Sequence, residues 1–277
     1  AGRLAAARGW RVERSREVTW LGTPAVDAIC EAGSQKLRAR LVARGPVLFL
    51  VTAQAPAAAF AAKQAELARL RSAAEAGALP EPLAGARPGF QAALAAGGPC
   101  AVIAEYKRAS PSRGTINLSL EPGDVARMYA RAGASALSVL TEEAHFQGRL
   151  EYLAAMTGPG LPLLRKDFLF HPLQVLETAT TPASALLLIA RMFREARELR
   201  DLREMTEGLG LEAVVEVFDA ADLELARESG AALIQVNNRD LERLSVSLDV
   251  SRGLAGQRRE GEFWISASGI DASGQVA

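Results

Sequence analysis

Residues 105–112 read Glu-Tyr-Lys-Arg-Ala-Ser-Pro-Ser and follow directly on the apolar run Ala101-Val102-Ile103-Ala104. A carboxylate, an ammonium and a hydroxyl thus stand at the end of an apolar segment. Such groups take, give and share protons, or hold an anion. A charge at the end of an apolar strand costs several kcal/mol if it stays dry and unpaired. It is tolerated where it faces a site. Glu105 and Lys107 are two apart, so on a strand they point to the same face. A solvated strand end carrying an ion pair accounts for the same residues, and that alternative stays open here.

The elements that must position these groups follow from the apolar pattern. From about residue 100, short runs rich in Val, Ile and Leu alternate with amphipathic segments. Strands are predicted at 101–106, 136–140, 162–167, 185–189, 212–217, 233–237 and 263–267. Helices are predicted at 123–132, 150–156, 172–178, 194–209, 221–228 and 249–254, several ending at a glycine such as Gly133, Gly210 or Gly230. Near-continuous apolar strands separated by helices imply parallel strands buried on both faces. A doubly wound open sheet and a (β/α)₈ barrel both satisfy this. Lys166 and Asp167, Glu216, Asn237 and Asn238, and Ser266 and Ser268 all fall at C-terminal strand ends. A barrel gathers those ends around one mouth, whereas an open sheet spreads them along a line. No Gly-x-Gly-x-x-Gly turn follows the first of these strands, which weakens the open-sheet reading.

Residues 61–98 are Ala-rich and helical in pattern, and are expected to pack under the barrel. Residues 1–60 form an unassigned extension with a strand-like run at 46–52. That run follows a basic stretch and precedes an Ala-rich one, faintly like a signal peptide. It is internal and short, so a buried strand is the better reading.

Composition narrows the function. The 277 residues are 49% hydrophobic, enough for a sizeable core. Net charge is +0 and aromatics make up 5%, against a nucleic-acid binder working by bulk charge or base stacking. Cys30 and Cys100 make neither a disulfide framework nor a metal pattern, and fit a reducing compartment. His145 and His171 are too few and too scattered for a zinc site, so no metal is expected. His145 reads as a loop residue and His171, before Pro172, as a helix start. No apolar run reaches transmembrane length, and no membrane partner is expected.

Five segments in order resemble the indole-3-glycerol phosphate synthase family of tryptophan biosynthesis. They are AEYKRASPSRG (104–114), SVLTEEAHFQG (138–148), LLRKDFLFHPLQVLE (163–177), VVEVFD (214–219) and VNNRDL (236–241), with a weaker sixth, ISASGI (265–270). The resemblance implies a (β/α)₈ barrel over residues 61–277, behind a helical N-terminal extension. It implies a lyase that closes the pyrrole ring of 1-(2-carboxyphenylamino)-1-deoxyribulose 5-phosphate with loss of carbon dioxide and water, without metal or organic cofactor. By the same resemblance Lys166 is the general acid, Glu216 the base, and Glu105 a second carboxylate for cationic intermediates. Lys107 binds the anthranilate carboxylate, and Asn237 orients Glu216 or the substrate hydroxyls. Phe146, Phe168 and Leu188 form the aromatic slot. Ser110 and the amides near Ser268 and Gly269 form part of a phosphate cradle. The family setting also implies a cytoplasmic enzyme, or a plastid one in a photosynthetic eukaryote, with fusion to or association with another pathway enzyme.

Two departures bear on activity. Ala267 stands where the family usually has a substrate-contacting glutamate. The barrel is also expected to lack its last strand and helix, because Ala277 follows soon after the seventh predicted strand. A piece of a longer protein, altered coding at both ends, or residues 46–52 filling the eighth slot would each account for this. An inactive relic serving as an interaction module is the rival reading. A related phosphate-binding barrel enzyme, such as the isomerase that makes this substrate, fits the Lys-Asp-Phe and Asn-Asn-Arg segments poorly.

Overall fold

The computed structural model describes residues 11–20, 23–32, 35–44, 47–52, 57–98, 101–110, 114–239 and 245–270, with side chains from residue 63 onward. The chain divides into two units, Ala1–Gln64 and Ala65–Ala277.

The first unit holds an antiparallel sheet. Its strands are β1 (Arg11–Trp20), β2 (Thr23–Ala32), β3 (Gln35–Arg44) and β4 (Val47–Thr52), paired in chain order. The β1–β2 register slips between Val12 and Arg14, a local bulge. The strand-like run at 46–52 is therefore a strand, but it pairs antiparallel with β3, as in Val42↔Phe49. It does not supply an eighth parallel strand. Helix α1 (Ala57–Glu75) follows.

The second unit is a (β/α) barrel fold. Among the described residues, seven parallel strands form its sheet: β5 (Ile103–Tyr106), β8 (Ala136–Leu140), β9 (Leu163–Lys166), β10 (Ala185–Ile189), β11 (Glu212–Val217), β12 (Leu233–Asn237) and β13 (Phe263–Ala267). They pair in chain order, with β5 and β13 at the two ends. A short antiparallel pair, β6 (Ala109–Ser110) and β7 (Gly114–Thr115), lies in the loop after β5. The helices are α2 (Phe90–Ala96), α3 (Pro122–Arg131), α4 (Glu143–Phe146), α5 (Glu151–Ala155), α6 (Pro172–Ala179), α7 (Ala196–Gly208), α8 (Ala220–Glu228) and α9 (Asp249–Ala255).

Strand periodicity sorts side chains into two apolar layers. One holds Leu186, Leu188, Val215, Val217, Ile234 and Val236, packed with helix residues such as Val175, Leu199, Leu202 and Leu223. The other is the interior, with Leu164, Leu187, Ile189, Val214 and Leu233. Ile103 from one end strand and Phe263 and Ile265 from the other join the same interior cluster, so the sheet curls on itself.

Helix α2 closes the bottom. Phe90 is fully buried in the interior cluster together with Leu94. Glu212, at the start of β11, accepts hydrogen bonds from the Phe90 and Gln91 amides at 2.5 and 2.9 Å. A carboxylate at a helix N-terminus satisfies orphan donors and complements the dipole. Burying Phe90 is worth about 3 kcal/mol. The expected helical support at 61–98 is thus two helices, Ala57–Glu75 and Phe90–Ala96, with irregular chain between them.

Chain punctuation follows local chemistry. Pro122 opens α3, where a missing N–H costs nothing. Gly133 follows α3 at φ 89, a left-handed cap that returns the chain to β8. His171 caps α6, its Nδ1 accepting from the Leu173 amide at 3.1 Å, as a helix-start residue should. Among the described residues, no helix is long and apolar enough to cross a membrane.

Candidate active site

Four of the expected polar residues come together at the C-terminal ends of β5, β9 and β11. Lys166 ends β9, and alternation with the interior residue Leu164 turns it inward. Glu216 is two residues beyond the interior Val214 on β11 and is 2% exposed. The Lys166 Nζ stands 3.6 Å from the Glu216 Oε2. Burial pulls the Lys166 ammonium toward a lower pKa. The carboxylates of Glu216, Glu105 and Asp167 outweigh that pull, and its pKa lies above the ordinary 10.5. The Lys166 ammonium therefore keeps its proton at neutral pH.

Glu105 and Lys107 rise from the end of β5 and pair with each other. The ion pair that a solvated strand end would show is present, and both side chains are about one-third exposed. Glu105 also acts electrostatically on Lys166, which joins the two pairs into one cluster. The Tyr129 hydroxyl donates to the Glu105 carbonyl at 3.0 Å and fixes this strand end from α3.

Asn237 and Asn238 have different partners. The Asn237 Oδ1 accepts from the Arg239 amide at 3.0 Å. Asn238 ties the β12 end to β13: its Nδ2 donates to Ser266 Oγ and to the Ala267 carbonyl, both at 3.0 Å, and its Oδ1 accepts from the Ser251 amide at 3.0 Å. Glu216 itself is bonded by a different amide, that of Gln235, whose Nε2 donates to Glu216 Oε2 at 2.5 Å. The sequence carried a signal, since Gln235 interrupts the buried strand Leu-Ile-Gln-Val-Asn one step before Asn237 on the same face.

The expected aromatic slot is partly realised. The Phe146 and Phe168 rings lie 6.4 Å apart, tilted by 50°. Phe168 packs against the interior cluster. Leu188 does not join them. It is fully buried between sheet and helices, and its neighbour Ile189 is the interior residue at the end of β10. A one-residue offset on a strand exchanges faces.

The loop carrying Phe146 is held by Glu142. Its buried carboxylate accepts from the amides of Ala144, His145 and Phe146 at 3.0, 2.8 and 3.2 Å. Gly148 closes the loop, and a Cβ there would lie 2.4 Å from the Leu140 carbonyl oxygen. His145 lies in α4, 3.6 Å from Glu142, and is not a member of the polar cluster.

Of the expected phosphate cradle, Ser110 is buried and faces Gly114 across β6–β7. Ser268 and Gly269 follow β13 with φ of 70 and 76. The positive φ favours glycine at 269, where an added Cβ would also have to displace the exposed Val246 side chain, 2.2 Å away at Cγ1. Ala267 pairs with Asn237 in the β12–β13 register, placing a methyl group at the mouth.

Asp167 acts on Lys166 through its charge but pairs with Arg165. It turns to the other side of the sheet, with Arg165. There the Arg165 guanidinium meets Asp167 Oδ2 at 3.3 Å, Glu177 Oε2 at 3.1 Å and Thr178 Oγ1 at 2.9 Å. Among the described residues, no three His, Cys, Asp or Glu side chains stand together to hold a metal.

Sequence comparison with known proteins points to one family. The family model described as indole-3-glycerol phosphate synthase matches residues 58–277. The indole-3-glycerol phosphate synthase of Carboxydothermus hydrogenoformans is 46% identical over 175 residues, 62% of this chain and 66% of that protein. That of Aromatoleum aromaticum is 41% identical over 212 residues, 76% of this chain and 79% of that protein. The chain thus spans from about two thirds to four fifths of the length of these relatives.

Proposed function

The chain belongs to the indole-3-glycerol phosphate synthase family, and on that premise we propose that it closes the pyrrole ring of 1-(2-carboxyphenylamino)-1-deoxyribulose 5-phosphate. The observation that carries this is the meeting of Lys166 with Glu216 at the mouth of the barrel, 3.6 Å apart.

The substrate carries a carboxylate, a ketone and a phosphate. Ring closure requires the ketone carbon to become more electrophilic. The Lys166 ammonium, kept protonated by its carboxylate neighbours, donates to the ketone oxygen. A carbon–carbon bond forms from the aromatic ring to the former ketone carbon, and the ketone oxygen becomes a hydroxyl. The carboxyl group then leaves as carbon dioxide, its bonding electrons restoring the aromatic ring. Loss of water completes the indole. Glu216 takes the proton from the carbon next to the hydroxyl-bearing one, while Lys166, reprotonated from solvent after ring closure, protonates the departing hydroxyl.

Glu105 stabilises the cationic nitrogen that develops after closure. Lys107 holds the substrate carboxylate until it leaves, exchanging part of its pairing with Glu105 for the ligand. Phe146 and Phe168 line the slot for the aromatic ring, with Ile189 rather than Leu188 as the aliphatic wall. Asn237 meets the substrate hydroxyls. Ser110 and the backbone around Ser268 and Gly269 receive the phosphate. Ala267 supplies no charge to the substrate.

The test is incubation of the purified chain with this substrate. Indole fluorescence should rise with one carbon dioxide released per indole formed. A folded chain that gives neither contradicts the assignment.

A further inference from the structure

Two donors converge on one oxygen of Glu216. Gln235 Nε2 donates to Oε2 at 2.5 Å. The Lys166 Nζ stands 3.6 Å from the same atom. That is an ion-pair separation, too long for a hydrogen bond. Strand register explains the difference. Gln235 lies directly across from Glu216 in the β11–β12 pairing, so their side chains rise at one level of the interior. Lys166 comes from β9, separated from β11 by β10.

Gln235 is 3% exposed on a strand whose other interior positions include Leu233. A buried amide costs stability unless it is bonded, and Glu216 is the partner that satisfies it. No step of the reaction as derived above uses Gln235. Its amide is neutral, so it supplies a donor without adding a charge beside Lys166, Glu105, Lys107 and Asp167.

We propose that Gln235 is a positioning residue: its hydrogen bond to Oε2 fixes the Glu216 carboxylate in an orientation that leaves the Lys166 ammonium 3.6 Å away. This rests on the assignment of Lys166 and Glu216 as acid and base. Without that hold the carboxylate is free to turn and close on the ammonium, drawing it away from the ketone. With Gln235 in place, acid and base stay apart.

Gln235→Met tests this, because methionine keeps the length and removes the donor. Two readouts are taken on the full chain. The first is kcat and KM with the carboxyphenylamino-deoxyribulose phosphate. The second needs no turnover: the rate of reductive methylation of Lys166 at fixed pH, read by peptide mass spectrometry. The expected result is a fall in kcat of between about tenfold and a hundredfold with little change in KM. Lys166 should also be modified several-fold more slowly, because the released carboxylate oxygen closes on it. An unchanged labelling rate, or an unchanged kcat, overturns the proposal. Should the methionine variant fail to fold, Gln235→Leu removes the donor with a smaller apolar side chain and carries the test. Labelling of Lys166 should again slow, and an unchanged rate overturns the proposal. Glu216→Gln separates this from the underlying assignment: wild-type kcat in that variant removes the base itself, whatever Gln235 does.

Discussion

Arg165 and Lys166 are neighbours on one strand and serve opposite sides of the sheet. Arg165 is buried in a network with Asp167, Glu177 and Thr178. Lys166 faces Glu216 in the interior. The pleat makes this division. A lysine set for chemistry is thereby anchored by a structural ion network one residue away, which explains why the segment carries adjacent cations.

Removing the anchor should cost stability. Arg165→Met removes the buried cation that Asp167 and Glu177 share, leaving Glu177 its pair with Arg69. Breaking a buried pair from one side costs about 3–5 kcal/mol. Urea unfolding of the variant should show that loss, and a change below about 1 kcal/mol would show that the network contributes little.

Acid should weaken the fold through Glu262. Its hydrogen bond from Arg227 holds the carboxyl at about 2, from an ordinary 4.5, while burial pulls the other way. The folded value is depressed, so the stabilisation is complete above 4.5 and is lost as pH falls toward 2. Trp264 Nε1 donates to Glu262 at 3.0 Å, so tryptophan fluorescence reports the site. Glu262→Gln should flatten the stability profile across that window, and a profile as steep as wild type would assign the acid limb elsewhere.

The titration of Lys166 should depend on Glu216. Burial lowers the lysine and Glu216 is the strongest group raising it. In Glu216→Gln burial meets less opposition, so Lys166 should lose its proton at lower pH. Amine labelling against pH would show the curve displaced downward, whereas an unmoved curve would mean that the two groups are not coupled.

The loop that carries Phe146 should not tolerate a side chain at 148. In Gly148→Ala the new Cβ meets the Leu140 carbonyl carbon at 2.7 Å and the Thr141 carbon at 2.8 Å, both backbone. The loop must shift and carry Phe146 away from Phe168. Steady-state kinetics should show KM raised by about tenfold, since one misplaced aromatic contact is worth about 1.4 kcal/mol. An unchanged KM would remove Phe146 from the aromatic slot.

Much of the barrel was legible because its strands are continuous apolar runs. The strands at 136–140, 185–189, 212–217, 233–237 and 263–267 match the predicted spans. Those of the first unit were not, apart from Val47–Thr52. Arg11–Trp20 reads RVERSREVTW, which has no apolar run to find. In the site, charged strand ends such as Lys166, Glu216 and Glu105 announced themselves by the cost of putting them there. Leu188 was misplaced because an all-apolar strand, Ala-Leu-Leu-Leu-Ile, does not say which alternate residues face inward. Gln235 was missed because it lies one level below the mouth, away from the strand end. Asn237 and Asn238 could not be told apart by type, and the β12–β13 bonds of Asn238 separate them.

The most direct test of the central claim is the kcat for indole-3-glycerol phosphate formation in the wild-type chain and in Lys166→Ala. The account predicts measurable wild-type turnover and a loss of at least about a hundredfold in a folded variant. Wild-type-like turnover in Lys166→Ala, or none in a folded wild-type chain, would contradict it.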